Sequence, residues 1–335
     1  MSEKTYNILI LGASYGSLLA SKLILAGHNA SLVCLPAEAE LINAEGIRVR
    51  MPIRGRDDLV EIDSRKAPGK LKAGGPADFD PNDFDLVALA MQEPQYRSDG
   101  VRQLLDKVAK SGKPCMSIMN MPPLPYLKRV PGIDADKLLH CYTDPTVWQN
   151  FNASMVTLAS PDPQAFRPPD EPVNVLQVSL PTNFKVARFE SDEATAMLRQ
   201  IEQDIQDIRF DPGDGKPIEL PVKLRVYESV FVPLAKWAML LTGNYRCVQE
   251  DAARSIKDAV HSDIDASQAV YAWVREMCKS LGASDDDLVP FEKYAAAAQG
   301  LSKPSSAARA LFSGAPYIER LDLLAKSVAD GIGMQ

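Results

Sequence analysis

The stretch that most constrains this chain is NILILGASYGSLLASKLILAGH, residues 7–28. An unbroken apolar run, Ile8-Leu9-Ile10-Leu11, meets Gly12, and residues 17–26 carry apolar side chains at helical spacing before Gly27. A strand with no polar alternation must be covered on both faces, which is the condition of a parallel sheet flanked by helices. The alternation then continues. Residues 30–35 read as a second strand, 37–44 as a helix, and 47–51 with 59–62 as a hairpin-like pair. Residues 64–80, rich in Lys, Gly and Pro, read as a loop. DLVALAM (85–91) is another two-sided strand, followed by a helix over 99–109 and a strand over 114–119. This order is the doubly wound α/β pattern.

From residue 154 the texture changes. SMVTLAS, VNVLQVSL and KVARFE read as strands joined by Pro-rich turns, and after Ser191 helices dominate: 192–208, 224–241, 251–260, 266–281 and 307–329. The expected architecture is a Rossmann-type sheet with added antiparallel strands over residues 1–188. An all-α domain is expected to follow over 189–335. A chain of 335 residues is long enough for two cores. Its net charge of -7 argues against a nucleic-acid partner. No apolar run is long enough to span a membrane, and residues 1–7 are too polar for a secretion signal. Five scattered cysteines without a C-x-x-C pair read as reduced thiols of a cytoplasmic protein, and three histidines, none at ligand spacing, offer no metal site.

The turn at Gly12 departs from the dinucleotide fingerprint. G-x-G-x-x-G becomes Gly12-Ala13-Ser14-Tyr15-Gly16-Ser17, with serines in two glycine slots. In the fingerprint the first glycine makes the turn, the second admits the pyrophosphate, and the third lets the helix pack on the strand. Gly12 meets the first need, and Gly16 meets the third if the loop is one residue short. Ser14 offers a hydroxyl at the second. Alone, the loop reads equally as a phosphate cradle or as an ordinary strand–turn–helix corner.

GASYGSLLASKLILAGHNASLV followed by AELINAEGIRV resembles the start of the ketopantoate reductases (2-dehydropantoate 2-reductases), and the likeness extends to DLVALAM, SIMNM and the helical half. It is sparse between residues 126 and 221. The resemblance implies a helical domain of the 6-phosphogluconate dehydrogenase C-terminal type, reduction of a small 2-oxo acid to a 2-hydroxy acid with NADP(H) or NAD(H), and a homodimer. It also implies cofactor contacts from the 12–17 loop, from Met91 and Gln92 after the fourth strand, and from Asn120. Two departures bear on the cofactor. Cys34-Leu35-Pro36 stands where the family has an arginine for the 2′-phosphate, and Met91-Gln92 stands where it has a lysine. Neither is there an acidic residue directly after the second strand for an NAD ribose.

Hydride reduction of a ketone needs a proton donor and anchors for the substrate. VKLRVYESVFVP matches the family's lysine helix at Lys223-Leu224, with Tyr227 and Phe231 in place of asparagines; Lys236 is the other lysine of that segment. Each lysine reads either as the donor or as a snorkelling surface residue. By the same resemblance Glu319 and either Ser305 or Ser306 hold the substrate, and Asn244 matches a further asparagine. Tyr227 and Phe231 imply a bulkier pocket than ketopantoate needs. Two rivals stand beside this reading: an opine-type imine dehydrogenase using His261 and Asp263, and a catalytically silent nucleotide-binding protein, which the missing cations favour.

Overall fold

A computed structural model describes residues 4–334. Inter-residue contacts divide the chain into two units. The first comprises residues 1–91, 98–119 and 150–228; the second comprises 92–97, 120–149 and 229–335. The division therefore falls later than residue 188, and two earlier stretches belong with the helical part.

In the first unit the apolar run is strand β1 (Asn7–Leu11), and helix α1 (Ala13–Leu25) follows at once. Next come β2 (Asn29–Val33), α2 (Pro36–Glu45), β3 (Arg48–Met51), β4 (Val60–Asp63), β5 (Leu71–Gly74), β6 (Leu86–Leu89), α3 (Val101–Ser111) and β7 (Cys115–Ile118). After α4 (Leu124–Leu127) of the second unit, the first unit resumes with β8 (Val156–Ser160), β9 (Gln164–Phe166), β10 (Val175–Leu180), β11 (Phe184–Ala187), α5 (Asp192–Gln206) and β12 (Leu224–Tyr227).

Eight strands form one sheet in the order β12-β11-β8-β7-β6-β1-β2-β5. From β8 to β5 all pairings are parallel; β11 runs antiparallel to β8, and β12 parallel to β11. The chain leaves β1 toward β2 on one side and returns as β6 on the other, so the C-terminal end of β1 is a topological switch point, where such sheets bind ligands. A second sheet, β4-β3-β10-β9, contains the expected hairpin of β3 and β4. Helix α1 packs on β1 and β2 and also against β3, β9 and β10. Ile8 and Ile10 join the core on that side, whereas Leu9 and Leu11, equally buried, do not, so β1 is covered on both faces as its sequence requires.

Two strands of this eight-stranded sheet depart from expectation. The 64–80 loop contains β5, an edge strand too short and too interrupted by Lys and Gly to show a period. Residues 224–241 are not one helix. Leu224–Tyr227 pairs in register with Phe184–Ala187 as β12, and its β-branched and aromatic residues suit that place.

Lys22, on α1, lies inside this core at 2% exposure, its Nζ 3.7 Å from Met51 Sδ. Burial, aided by the charge of Lys223, lowers its pKa to about 7.

In the second unit, α6 (Lys236–Met239) continues as a π-turn over Leu240–Asn244. Then follow α7 (Ile256–His261), α8 (Ile264–Ser280), α9 (Phe291–Ala298), α10 (Ser306–Phe312) and α11 (Leu321–Gly331). Tyr271 stacks on Tyr294 at 5.4 Å between ring centroids, tying α8 to α9. The expected helix over 307–329 is broken at 313–320, where Gly314 takes a positive φ and Pro316 removes a donor. Among the described residues no helix is long and apolar enough to cross a membrane, and no acidic, His or Cys cluster could hold a metal ion.

Candidate active site

The corner after β1 shows why its two glycines are there. Gly12 adopts φ 104° and caps α1, and a Cβ on it would lie 2.5 Å from Met91 Cγ and 2.9 Å from the Ala90 carbonyl oxygen. A Cβ on Gly16 would lie 2.7 Å from Ile10 Cγ2, so Gly16 sets the close approach of helix to strand. The turn is one residue short: Ala13 is already helical, and Ser14 sits exposed in the first turn. No side chain caps this end and no acidic residue lies in the first turn. The amides of Ala13, Ser14 and Tyr15 therefore present an uncompensated positive helix end, a donor set that fits a diphosphate.

Tyr15 and Ser17 have other work. The Tyr15 hydroxyl donates to the Pro163 carbonyl at 2.7 Å, and its ring meets Phe184 edge-on at 5.9 Å. Buried Ser17 donates back to the Ala13 carbonyl within the helix. Of the loop's side chains, only the Ser14 hydroxyl remains available to a ligand.

Lys223 lies in this unit, directly before edge strand β12, with its ammonium 3.1 Å from Glu219. The helical spacing that matched it to a family lysine does not exist here. Tyr227, on the same edge strand, is exposed, and Phe231 lies in the second unit, where its ring packs 3.5 Å from the position of a Cβ on Gly282. A bulkier pocket required these two to share a helix with Lys223, and without that helix the expectation falls.

The second unit gathers a buried polar cluster from four separate stretches. Asn120, just after β7, donates from Nδ2 to Glu319 Oε1 at 2.9 Å. Glu319 occupies the break before α11 and is 2% exposed; its Oε2 has no hydrogen-bond partner among the described residues. Tyr245 fixes the backbone there, donating to the Glu319 carbonyl at 2.8 Å while accepting from the Leu321 amide at 2.9 Å. Burial raises the Glu319 pKa to about 7, against the opposing pull of the Asn120 hydrogen bond and the Lys236 charge; the charge of Glu93 adds to the rise.

Lys236, itself buried, is the first residue of α6. The helix it opens is held by Tyr294, whose hydroxyl donates to the Met239 carbonyl at 3.0 Å, and Gly243 in the π-turn leaves the space that Tyr294 needs. Such π-turns recur at functional sites because they re-aim the side chains around them. Glu93, 2% exposed, accepts from the Thr143 amide at 3.0 Å and the Thr143 hydroxyl at 2.8 Å, and burial raises its pKa. Sequence reasoning passed over Glu93. The available signal was its place directly after Met91-Gln92, with CYTDP supplying a polar partner.

The remaining candidates divide. Ser305 caps α10, accepting from the Ala308 amide, and donates to the Asn244 carbonyl at 2.7 Å, so its hydroxyl is structural. The half-buried Ser306 hydroxyl makes no hydrogen bond among the described residues, nor does the Asn244 side chain. Gln92 is tied through its amide to Gln95 Oε1 at 2.9 Å. His261 and Asp263 do not pair. His261 Nε2 lies 2.9 Å from the Ala295 carbonyl, and Asp263 caps α8. That removes the geometry an opine-type dehydrogenase was expected to need.

The chain thus joins a doubly wound sheet, with a glycine turn at its switch point, to a helical unit. No family model matches the chain, and no curated protein matches it significantly. Solved structures do. A 2-dehydropantoate 2-reductase from Methylococcus capsulatus matches with a TM-score of 0.64 at 15% identity, over 98% of this chain and 92% of its own. A PanE/ApbA family ketopantoate reductase from Ralstonia eutropha matches at 0.60 and 17%, over 98% and 93%. A dimeric ketopantoate reductase from Staphylococcus aureus matches at 0.57 and 12%, over 98% and 93%. The fold of this chain is that of the ketopantoate reductases.

Proposed function

We propose that the protein is a nicotinamide-dependent oxidoreductase that reduces a small 2-oxo acid to the 2-hydroxy acid, acting as a homodimer. The observation that carries this reading is the meeting of buried Lys236 and Glu319 with half-buried Asn120 in the second unit of a ketopantoate-reductase fold. The first unit would hold the dinucleotide diphosphate on the amides of Ala13, Ser14 and Tyr15 and the Ser14 hydroxyl, with Gly12 keeping the corner open. NAD(P)H, when bound, supplies the hydride.

The chain's own residues handle the proton and the substrate. The Lys236 ammonium donates a proton to the oxygen of the substrate carbonyl as negative charge develops there. Glu319 accepts a hydrogen bond from the resulting hydroxyl through its otherwise unpartnered Oε2. Asn120 fixes the carboxyl's orientation, and the charge of Glu93 adds to the rise in the Glu319 pKa. One 2-oxo acid, one hydride and one proton give one 2-hydroxy acid.

The test is NADH and NADPH oxidation with ketopantoate and a panel of other 2-oxo acids, using Lys236→Met and Lys223→Met. The expected result is a kcat loss of about 10²–10⁴-fold for Lys236→Met with coenzyme binding retained, the usual scale for a lost general acid, and little change for Lys223→Met. An unchanged kcat in Lys236→Met refutes the assignment, and failure to bind either coenzyme refutes the function.

A further inference from the structure

In a doubly wound sheet NADH and NADPH are told apart at the adenosine ribose, beyond the C-terminal end of the second strand. Here β2 ends at Val33, and Cys34-Leu35 lead into α2. Two charged residues from distant stretches meet at that end. Glu38, in the first turn of α2, accepts from Nη2 of Arg167, which directly follows β9. Both charges reach the Cys34 thiol: burial and Glu38 push its pKa up to about 11, and Arg167 opposes them. Folding therefore brings a guanidinium from a distant stretch to the carboxylate that the first turn of α2 supplies beyond β2.

The pair is partly shielded, with the Glu38 side chain 13% exposed and that of Arg167 28%. Only one oxygen of Glu38 and one nitrogen of Arg167 are used between them, and neither group makes another hydrogen bond among the described residues.

We propose that the Glu38–Arg167 pair reads the adenosine ribose and selects NADH over NADPH, an inference that rests on the dinucleotide reading above. The free Glu38 oxygen is an acceptor placed for a ribose 2′-hydroxyl. A 2′-phosphate offers it repulsion instead, because the Arg167 guanidinium is already paired with the same carboxylate. No second cation follows β6, where the chain reads Met91-Gln92. Arg167 acts as a positioning residue: it holds the carboxylate in place and adds no net positive charge.

The experiment is a fluorescence titration of NADH and of NADPH into the full chain, read as the ratio of the two dissociation constants, for the wild type, Glu38→Gln and Arg167→Met. The wild type should bind NADH more tightly. Glu38→Gln leaves Arg167 uncompensated and should shift the ratio toward NADPH by about tenfold, the equivalent of roughly 1.4 kcal/mol. Arg167→Met leaves a lone carboxylate and should shift it the other way. A purely structural pair would weaken both coenzymes alike and leave the ratio unmoved. Such a result, a wild-type preference for NADPH, or shifts in the same direction overturn this proposal. Should one variant fail to fold, the other still reads the sign. If the wild type binds neither coenzyme, the dinucleotide reading itself falls.

Discussion

Replacing Glu319 by glutamine tests the cluster without any substrate. The Glu319 pKa stands raised from 4.5 to about 7, and the carboxyl is 2% exposed, so solvent screening does little to dilute the effect. A raised pKa means that the folded state holds the proton more tightly than the unfolded chain. The associated stability is complete below pH 4.5 and is lost as pH rises through 7. Each tenfold difference in proton affinity is worth about 1.4 kcal/mol, so the loss is about 3 kcal/mol. Glutamine keeps the oxygen that accepts from Asn120 and never ionises. The stability of Glu319→Gln relative to the wild type should therefore improve by about 3 kcal/mol between pH 4.5 and pH 8.5. Its amide nitrogen takes the place of the unpartnered Oε2, which adds a constant offset that cancels between the two pH values. All three tryptophans (Trp148, Trp237 and Trp273) lie in the second unit, so urea unfolding followed by their fluorescence reports the unit that contains the cluster. A difference between variant and wild type that does not change with pH, or that shrinks as pH rises, would overturn this account of the cluster.

Two further perturbations address the first unit. Gly12→Ala places a methyl group 2.5 Å from Met91 Cγ at a φ of 104°, and should cost about 1–2 kcal/mol of stability from the backbone alone while weakening coenzyme binding; unchanged binding and melting would contradict the role given to this corner. Lys22→Met should stabilise the fold. The Lys22 pKa is lowered from 10.5 to about 7, so its contribution is intact above pH 10.5 and is lost as pH falls toward 7. The advantage of methionine should grow by several kcal/mol from pH 10 to pH 7 and then level off. Thermal melts by circular dichroism at these pH values measure it, and an advantage that is flat over this range would show that Lys22 is not desolvated.

Much of the first unit was legible because its signals are local. A two-sided apolar strand, a glycine that must turn and a helix with a small face are encoded within a few residues of one another. They predicted β1, α1 and the parallel sheet, and left the one-residue-short corner as the condition for Gly16 to pack helix on strand. The same locality explains the errors. LRVY shows no period that separates an edge strand from the start of an apolar helix, and only its neighbour Phe184–Ala187 decides the matter. With that strand went the placing of Lys223, Tyr227 and Phe231 on one helix.

The architecture needed little beyond the order of residues: alternating strands and helices around a switch point, with glycine obligatory at residues 12 and 16. The chemistry came only with folding. Asn120 and Glu319 are 199 residues apart and share a hydrogen bond; Glu38 and Arg167 are 129 apart and share a charge pair. A residue's type is written in the chain, but its desolvation and its charged neighbours are set by every segment packed around it. Glu319 therefore acquires a pKa near neutrality, and Glu38 beyond the end of β2 acquires its guanidinium partner, only when distant stretches close over them.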